Sequence, residues 1–268
     1  MDLTGKRVVL TGGSSGIGFA LAEELLKRGA RVMIVGRRRE RLNEAAAQLA
    51  KSGWTVGTFA GDVASGPDRT RLLANAVREL GGIDVLVNNA GAVRAGRLEA
   101  IAEDEIRAMI EVDLIAPILL TREALPHLRK SGDALIVNVT SGVALTGVPF
   151  YGIYAAAKAG LARFGEALRR ELKGEGVHVL TVYPVATDTP MMATSNAGAD
   201  LGFGREPVGE VAGAIVAGIE TNALEVARGG EARAKVVALN RDNPLALDDR
   251  FFTMKSALEE ATKDHRAL

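Results

Sequence analysis

TGGSSGIG, residues 11–18, closes the apolar run RVVLT (7–11) and opens FALAEELLKRG, whose apolar residues recur at helical spacing. A strand that turns through glycines into a helix aims free backbone N–H groups and the positive end of the helix dipole at one point. That geometry suits a pyrophosphate. The glycines fall as Gly12, Gly16 and Gly18, a G-x-x-x-G-x-G spacing that departs from G-x-G-x-x-G. The physical demands are the same in either spacing: a sharp turn, close approach of backbone to ligand, and tight packing of helix on strand. A phosphate-cradling P-loop is excluded, because Phe19 follows Gly18 where a lysine is required. Gly12, Ser14, Ser15, Gly16, Ile17 and Gly18 are therefore the first candidate ligand contacts.

Outward from this turn, short apolar runs recur as RVMIV (31–35), WTVGTF (54–59), DVLVN (84–88), ALIVNVT (134–140) and VHVLTVY (177–183). They are continuous rather than alternating, as expected of strands covered on both faces. Helical stretches such as RERLNEAAAQLAKSG and DRTRLLANAVRELGG lie between them, several ending in glycine just past a basic last turn. Alternating strand and helix predicts an α/β fold: a doubly wound parallel sheet with helices on both faces and ligands beyond the carboxyl ends of the strands. Residues 189–206, TPMMATSNAGADLGFGRE, have no clear period and read as a substrate loop or lid. Residues 1–240 are expected to form one catalytic domain, and 241–268 a charged helical tail.

Composition narrows the function. The chain has 268 residues, 33 Lys plus Arg against 33 Asp plus Glu, and no cysteine. A net charge of zero gives no field to recruit nucleic acid or an anionic membrane, so a small molecule is the expected partner. Lack of cysteine excludes disulfides and thiolate chemistry and fits a cytoplasmic protein. No stretch is apolar for long enough to span a bilayer, and the N-terminus lacks the apolar core of a secretion signal. His127, His178 and His265 have no ligand-like spacing, so no metal is expected. Trp54 reads as packing.

The second strand ends in Gly36 followed by Arg37, Arg38 and Arg39, with no acid before them. A carboxylate at that place would hold a ribose 2′-OH, whereas an arginine fork suits a 2′-phosphate; NADP is expected, with Arg37 nearest the strand end and Arg38 beside it. Further on, YGIYAAAK (151–158) places Tyr154 four residues before Lys158, on one helical face, with Tyr151 seven residues before the lysine. An ammonium close to a phenol favours its ionised form, as an acid/base catalyst requires. The spacing by itself also fits a surface lysine beside a half-buried tyrosine.

Taken in order, these motifs resemble the short-chain dehydrogenase/reductase family over residues 4–230. TGGSSGIG looks like its cofactor turn, Asp62-Val63 like its adenine-contact step, NNAG (88–91) like its fourth-strand signature, and Ser141, Tyr154 and Lys158 like its catalytic serine and Y-x-x-x-K, with Ser141 thirteen residues before Tyr154. The resemblance implies a three-layer Rossmann-like sandwich of about seven strands, with ALEVARG (223–229) supplying the last, and NAD(P)-dependent interconversion of a carbonyl and an alcohol. It places Asn88, Asn89, Ala90, Gly91, Pro184, Thr187 and Thr189 beside the cofactor. It also gives each catalytic residue a role: Ser141 hydrogen-bonds the substrate oxygen, Tyr154 donates the proton, and Lys158 holds the ribose and depresses the phenol pKa. Val143, Tyr151, Met191 and Met192 are expected to wall an apolar pocket for a hydrophobic ketone or alcohol. By the same resemblance, helices over 103–130 and 152–173 pair subunits into a homodimer or homotetramer. Two departures stand out. Asp113 in EVDLIAP occupies the place of a relay asparagine, and Val185 follows Pro184 where glycine is usual. They keep open an alternative, a catalytically weakened NADP-binding regulator or scaffold.

Overall fold

The computed structural model describes residues 1–267. β1 (Arg7–Thr11), β2 (Arg31–Gly36), β3 (Gly57–Ala60), β4 (Val85–Asn88), β6 (Ala134–Val139), β7 (Val177–Tyr183) and β8 (Glu225–Ala227) form a parallel sheet in the order β3-β2-β1-β4-β6-β7-β8. The expected α/β, doubly wound, Rossmann-like sandwich is thus the architecture. Inside it β3 starts at Gly57, so Trp54 and Thr55 precede the strand rather than open it.

Strand residues feed two apolar layers in alternation. Val8, Leu10, Val32 and Ile34 pack under α1 (Gly16–Lys27), α2 (Arg39–Lys51) and α7 (Val208–Glu220). Val9, Met33 and Val35 pack on the other side, under α3 (Gly66–Leu80), α5 (Ala116–Arg129) and α6 (Gly152–Glu171). Burial on both faces explains why the runs are continuously apolar; each buried Val, Leu or Ile contributes about 1.5–3 kcal/mol.

The sheet order reverses between β1 and β4, and the loops after these strands part there to leave a crevice. The loop after β4 is latched to the glycine turn: Asn89 Nδ2 donates to the carbonyls of Thr11 (2.9 Å) and Gly12 (3.3 Å), and the Asn89 N–H donates to Thr11 Oγ1 (2.9 Å). Asn88 points the other way. Its amide is buried and donates to Thr121 Oγ1 at 3.0 Å and Asn138 Oδ1 at 2.9 Å, tying β4 to β6 and α5. The expectation that Asn88 borders the cofactor is corrected accordingly: along a strand successive side chains face opposite sides, and this one faces the core.

β5 (Val93–Arg94) leads to α4 (Glu103–Ile110), which runs into one π-helical stretch, Glu111–Ile115, before α5. Asp113 sits in that stretch. π-bulges favour functional positions because the wide turn re-aims a side chain.

The C-terminal part differs most from expectation. Helix resumes at α8 (Gly230–Asp242), continues as α9 (Pro244–Thr262), and ends in a two-residue strand, β9 (Arg266–Ala267), antiparallel to β5. Helix thus begins before residue 241, the expected tail is not helical throughout, and its end pairs with β5 of the same chain. Leu258 and Phe251 join Tyr151, Val148 and Ala197 in one apolar cluster. Among the described residues no helix is long and apolar enough to cross a membrane.

Candidate active site

Two hollows meet at Tyr154. The first, about 280 Å³, runs over the glycine turn and is lined by Gly12, Ser14, Ser15, Gly16, Ile17 and Gly18, then by Arg37 and Arg38 at one end and Asp62 and Val63 beside them. Asn89, Ala90, Gly91, Lys158 and Thr189 complete it. The second, about 630 Å³, is mainly apolar and contains Ser141, Val143, Tyr151, Met191 and Met192. Ile17, Thr140, Tyr154, Thr189 and Met191 belong to both. Pro184 and Thr187, expected against the cofactor, line the larger hollow instead, because the chain after β7 swings away before Thr189 returns to the glycine turn.

The first hollow fits a dinucleotide on its own geometry. Gly12 and Gly16 hold positive φ, and a Cβ on Gly18 would stand 2.3 Å from the Gly12 carbonyl oxygen, so the turn brings bare backbone to the cleft. Arg37 and Arg38 are exposed at its end and, among the described residues, pair with no carboxylate.

Ser141 ends β6's extension and caps a short 3₁₀ turn, its Oγ accepting from the Val143 N–H at 3.4 Å. Tyr154 and Lys158 lie one turn apart on α6, with Lys158 Nζ 5.7 Å from the Tyr154 ring centre. Phe150, just before Tyr151, adopts φ 69°, a left-handed conformation costing about 1–3 kcal/mol. The surrounding cluster holds it there, with its carbonyl accepting from the Gly96 N–H at 2.9 Å.

Beneath Tyr154 the charges are matched in pairs. Lys158 is 3% exposed and Asp113 fully buried; Nζ lies 2.9 Å from Oδ1 and also donates to the Val139 carbonyl at 3.3 Å. Asp113 accepts in addition from the Ala92 N–H at 3.2 Å. Only glycine suits position 91, because a Cβ there would approach Asp113 Oδ1 to 2.8 Å and Lys158 Nζ to 3.3 Å. Burial raises the Asp113 carboxyl above its ordinary range, outweighing the pull of Lys158. Lys158 is itself raised: burial opposes its charge, but Asp113 and Tyr154 more than offset that.

The phenol of Tyr154 feels the expected downward pull of Lys158, yet its net shift is upward. Burial pushes it above its usual value; Lys158 pulls it down, Asp113 pushes it back up, and the Ser141 hydroxyl lowers it slightly. Tyr151 is pushed up to about 12 by burial, and its ring is occupied otherwise, stacked on Phe203 (5.7 Å) and edge-on to His265 (5.8 Å).

His265 shows how the C-terminal segment reaches the pocket. Its backbone carbonyl accepts from the Ala95 N–H at 3.0 Å, its Nδ1 lies 2.9 Å from Thr194 Oγ1, and burial pulls it down to about 4, so it is neutral throughout the physiological range. Phe203, Arg233, Leu247, Phe251 and His265 all line the larger hollow. Phe203 falls in the expected substrate loop, but the other four carry no sequence signal: they lie in segments without motif and become neighbours only through folding.

The match to the short chain dehydrogenase family model spans residues 6–200. The chain belongs to this family of oxidoreductases. Among its curated relatives, a ketoacyl reductase, HetN, of Nostoc sp. is 34% identical over 225 residues, covering 84% of this chain and 78% of the relative. A fatty acyl-CoA reductase of Mycobacterium tuberculosis is 35% identical, covering 74% and 68%. Among solved structures, an actinorhodin polyketide ketoreductase with NADPH superposes with a TM-score of 0.76 at 28% identity, covering 83% of this chain and 95% of that one. A short-chain dehydrogenase from Streptomyces avermitilis gives 0.78 at 27% identity, covering 94% and 96%.

Proposed function

We propose that the protein is an NADP-dependent reductase of hydrophobic ketones or aldehydes, working in the cytoplasm, with Tyr154 as the proton donor. The observation that carries this reading is the position of Tyr154 at the junction of a dinucleotide-shaped cleft and a large apolar cavity, with Ser141 and Lys158 beside it. NADPH, when bound along the glycine turn, supplies the hydride. The chain's own residues do the rest. Ser141 Oγ–H donates a hydrogen bond to the substrate oxygen, and the Tyr154 hydroxyl passes its proton to the same oxygen. Lys158, fixed by Asp113 and the Val139 carbonyl, keeps a positive charge under the tyrosinate left behind. Gly12 to Gly18, Asp62, Val63, Asn89 to Gly91 and Thr189 hold the cofactor in this reading, and the ketoreductase relatives support carbonyl reduction as the direction.

The 2′-phosphate assignment is tested at Arg37. Arg37→Glu is expected to reverse the preference for NADPH over NADH, read as the ratio of kcat/KM for the two cofactors. Equal use of both by the unmodified protein would overturn it.

The buried Asp113–Lys158 pair specifically favours a second reading, a cofactor-binding regulator with weakened catalysis, since burial and the Asp113 charge together hold the phenol above its usual value. A screen of ketones and aldehydes separates the two: tight NADPH binding without turnover favours the regulator. Asp113→Asn tests the pair directly. Loss of the carboxylate removes a charge that raises the phenol, so the Tyr154 pKa falls. Alcohol oxidation, which needs the tyrosinate, should then rise at lower pH, with its pH–rate limb displaced about one unit towards acid. An unmoved limb would show that Asp113 does not act on Tyr154.

In many relatives the helices over 103–130 and 152–173 pair subunits. Ile115, 38% exposed, and the small residues Ala155, Ala156 and Ala159 support a homodimer or homotetramer here.

A further inference from the structure

The larger cavity is mainly apolar, and Arg233 in the first turn of α8 enters its wall. Its Nε is buried and has no hydrogen-bond partner, and among the described residues its guanidinium forms no ion pair. The only acid in the cavity lining, Glu206, is already engaged by Arg228 at 2.9 Å. Two further cations border the same hollow. Lys235 is held by Glu231 at 2.8 Å, and Arg250 has no carboxylate in range among the described residues.

The guanidinium lies flat against Gly142. A Cβ on that residue would stand 2.6 Å from Nη2, 3.0 Å from Cζ and 3.2 Å from Nε, so the glycine is what admits the group. Gly142 directly follows Ser141, and consecutive Cα atoms are about 3.8 Å apart. The guanidinium therefore packs on the residue that follows Ser141, and both line the same cavity. Leaving a cation desolvated without a partner is costly, and burial indeed pulls Arg233 below its ordinary value. A sealed donor without a partner calls for an explanation, and a ligand that accepts from it is one.

We infer that Arg233 is a binding residue for the carboxylate of the substrate, which is a hydrophobic oxo acid whose carboxylate lies a few bonds from the carbonyl being reduced. The planar guanidinium fork matches a carboxylate with two parallel hydrogen bonds, and the dry wall strengthens them. The apolar remainder of the cavity, with Val143, Met191, Phe203 and Phe251, takes the hydrocarbon part. This deepens the proposed reductase function and rests on it for the carbonyl, while the anion site itself is testable without turnover.

Binding of decanoate and of decanol to the full chain with saturating NADPH, measured by calorimetry, is the first readout. Decanoate should bind the unmodified protein roughly ten- to hundredfold more tightly than it binds Arg233→Met, which keeps the packing of the stem, and decanol should bind both alike. Arg233→Lys should recover part of the difference. Should Arg233→Met not fold, as judged by its melting temperature, Arg233→Gln serves as the neutral variant. The second readout compares kcat/KM for 4-oxodecanoic acid and its methyl ester: the acid should be favoured about tenfold or more, and the variant should erase that preference. Decanoate affinity equal in protein and variant, or an acid-to-ester ratio indifferent to residue 233, would overturn the assignment. Decanoate binding that depends on Arg233, without turnover of any carbonyl, would uphold the anion site and refute the reductase reading.

Discussion

Tyr154→Phe should lower turnover of any ketone the protein accepts by about 10²- to 10⁴-fold, the range spanned by loss of one positioned acid/base group. The change removes a single oxygen from a half-buried ring, so packing on α6 and the lining of both hollows stay as they are. NADPH affinity, measured by fluorescence quenching, should therefore remain within a few-fold, because the glycine turn and Arg37 lie elsewhere in the cleft. Tyr151 cannot take over. Its hydroxyl is buried, raised to about 12, and its ring is held between Phe203 and His265. Retained turnover in Tyr154→Phe would remove the proton-donor role; a parallel loss of cofactor binding would mean the ring is structural.

Asp113→Ala carries the largest expected cost to stability. Lys158 is 3% exposed and, besides Asp113, has one carbonyl at 3.3 Å. Removing one partner of a buried ion pair strands the other charge, at a cost of about 3–5 kcal/mol. At roughly 2–4 °C per kcal/mol for a chain of this size, the melting temperature should fall by roughly 6–20 °C at pH 7. Asp113→Asn should lose much less, because its side-chain carbonyl can still accept from Lys158 Nζ. The carboxyl's raised pKa sets the pH sense: its ionised form is the disfavoured one in the fold, so this group's contribution is greatest at acid pH and declines as pH rises through its folded pKa. A melting temperature unchanged by Asp113→Ala would mean that Lys158 escapes to water or gives up its proton in the fold.

Much of this was legible in local patterns. The strands announced themselves by unbroken apolar runs, since a sheet covered on both faces has no polar side to show. TGGSSGIG was readable because its demands are local: backbone donors at a helix start. The spacing from Tyr154 to Lys158 sufficed to choose between two tyrosines. Asp113 could be singled out as a departure, yet not as the ion-pair partner of Lys158, because 45 residues separate them and a π-helical turn, not a heptad-like pattern, aims the carboxylate. Asn88 was misplaced for a similar reason: a motif names neighbours in sequence, while the pleat of a strand sends them to opposite sides. Arg233 was invisible. Nothing in GEARAKVVALN distinguishes it from the solvated arginines nearby, and only the bare Cα of Gly142, 91 residues earlier, gives it a seat.

The pairing of β9 with β5 has a bearing on how the chamber is assembled. Phe203, Arg233, Leu247, Phe251 and His265 all lie beyond residue 200, where the match to the family model ends, while the glycine turn, Ser141, Tyr154 and Lys158 lie within it. The cavity is thus walled from both sides of that boundary, by Val143, Tyr151, Met191 and Met192 before it and by Phe203, Arg233, Leu247, Phe251 and His265 after it. Because the terminal strand pairs with Val93 and Arg94 and sets His265 against Tyr151, the last residues of the chain help to shape the chamber built around the middle of it.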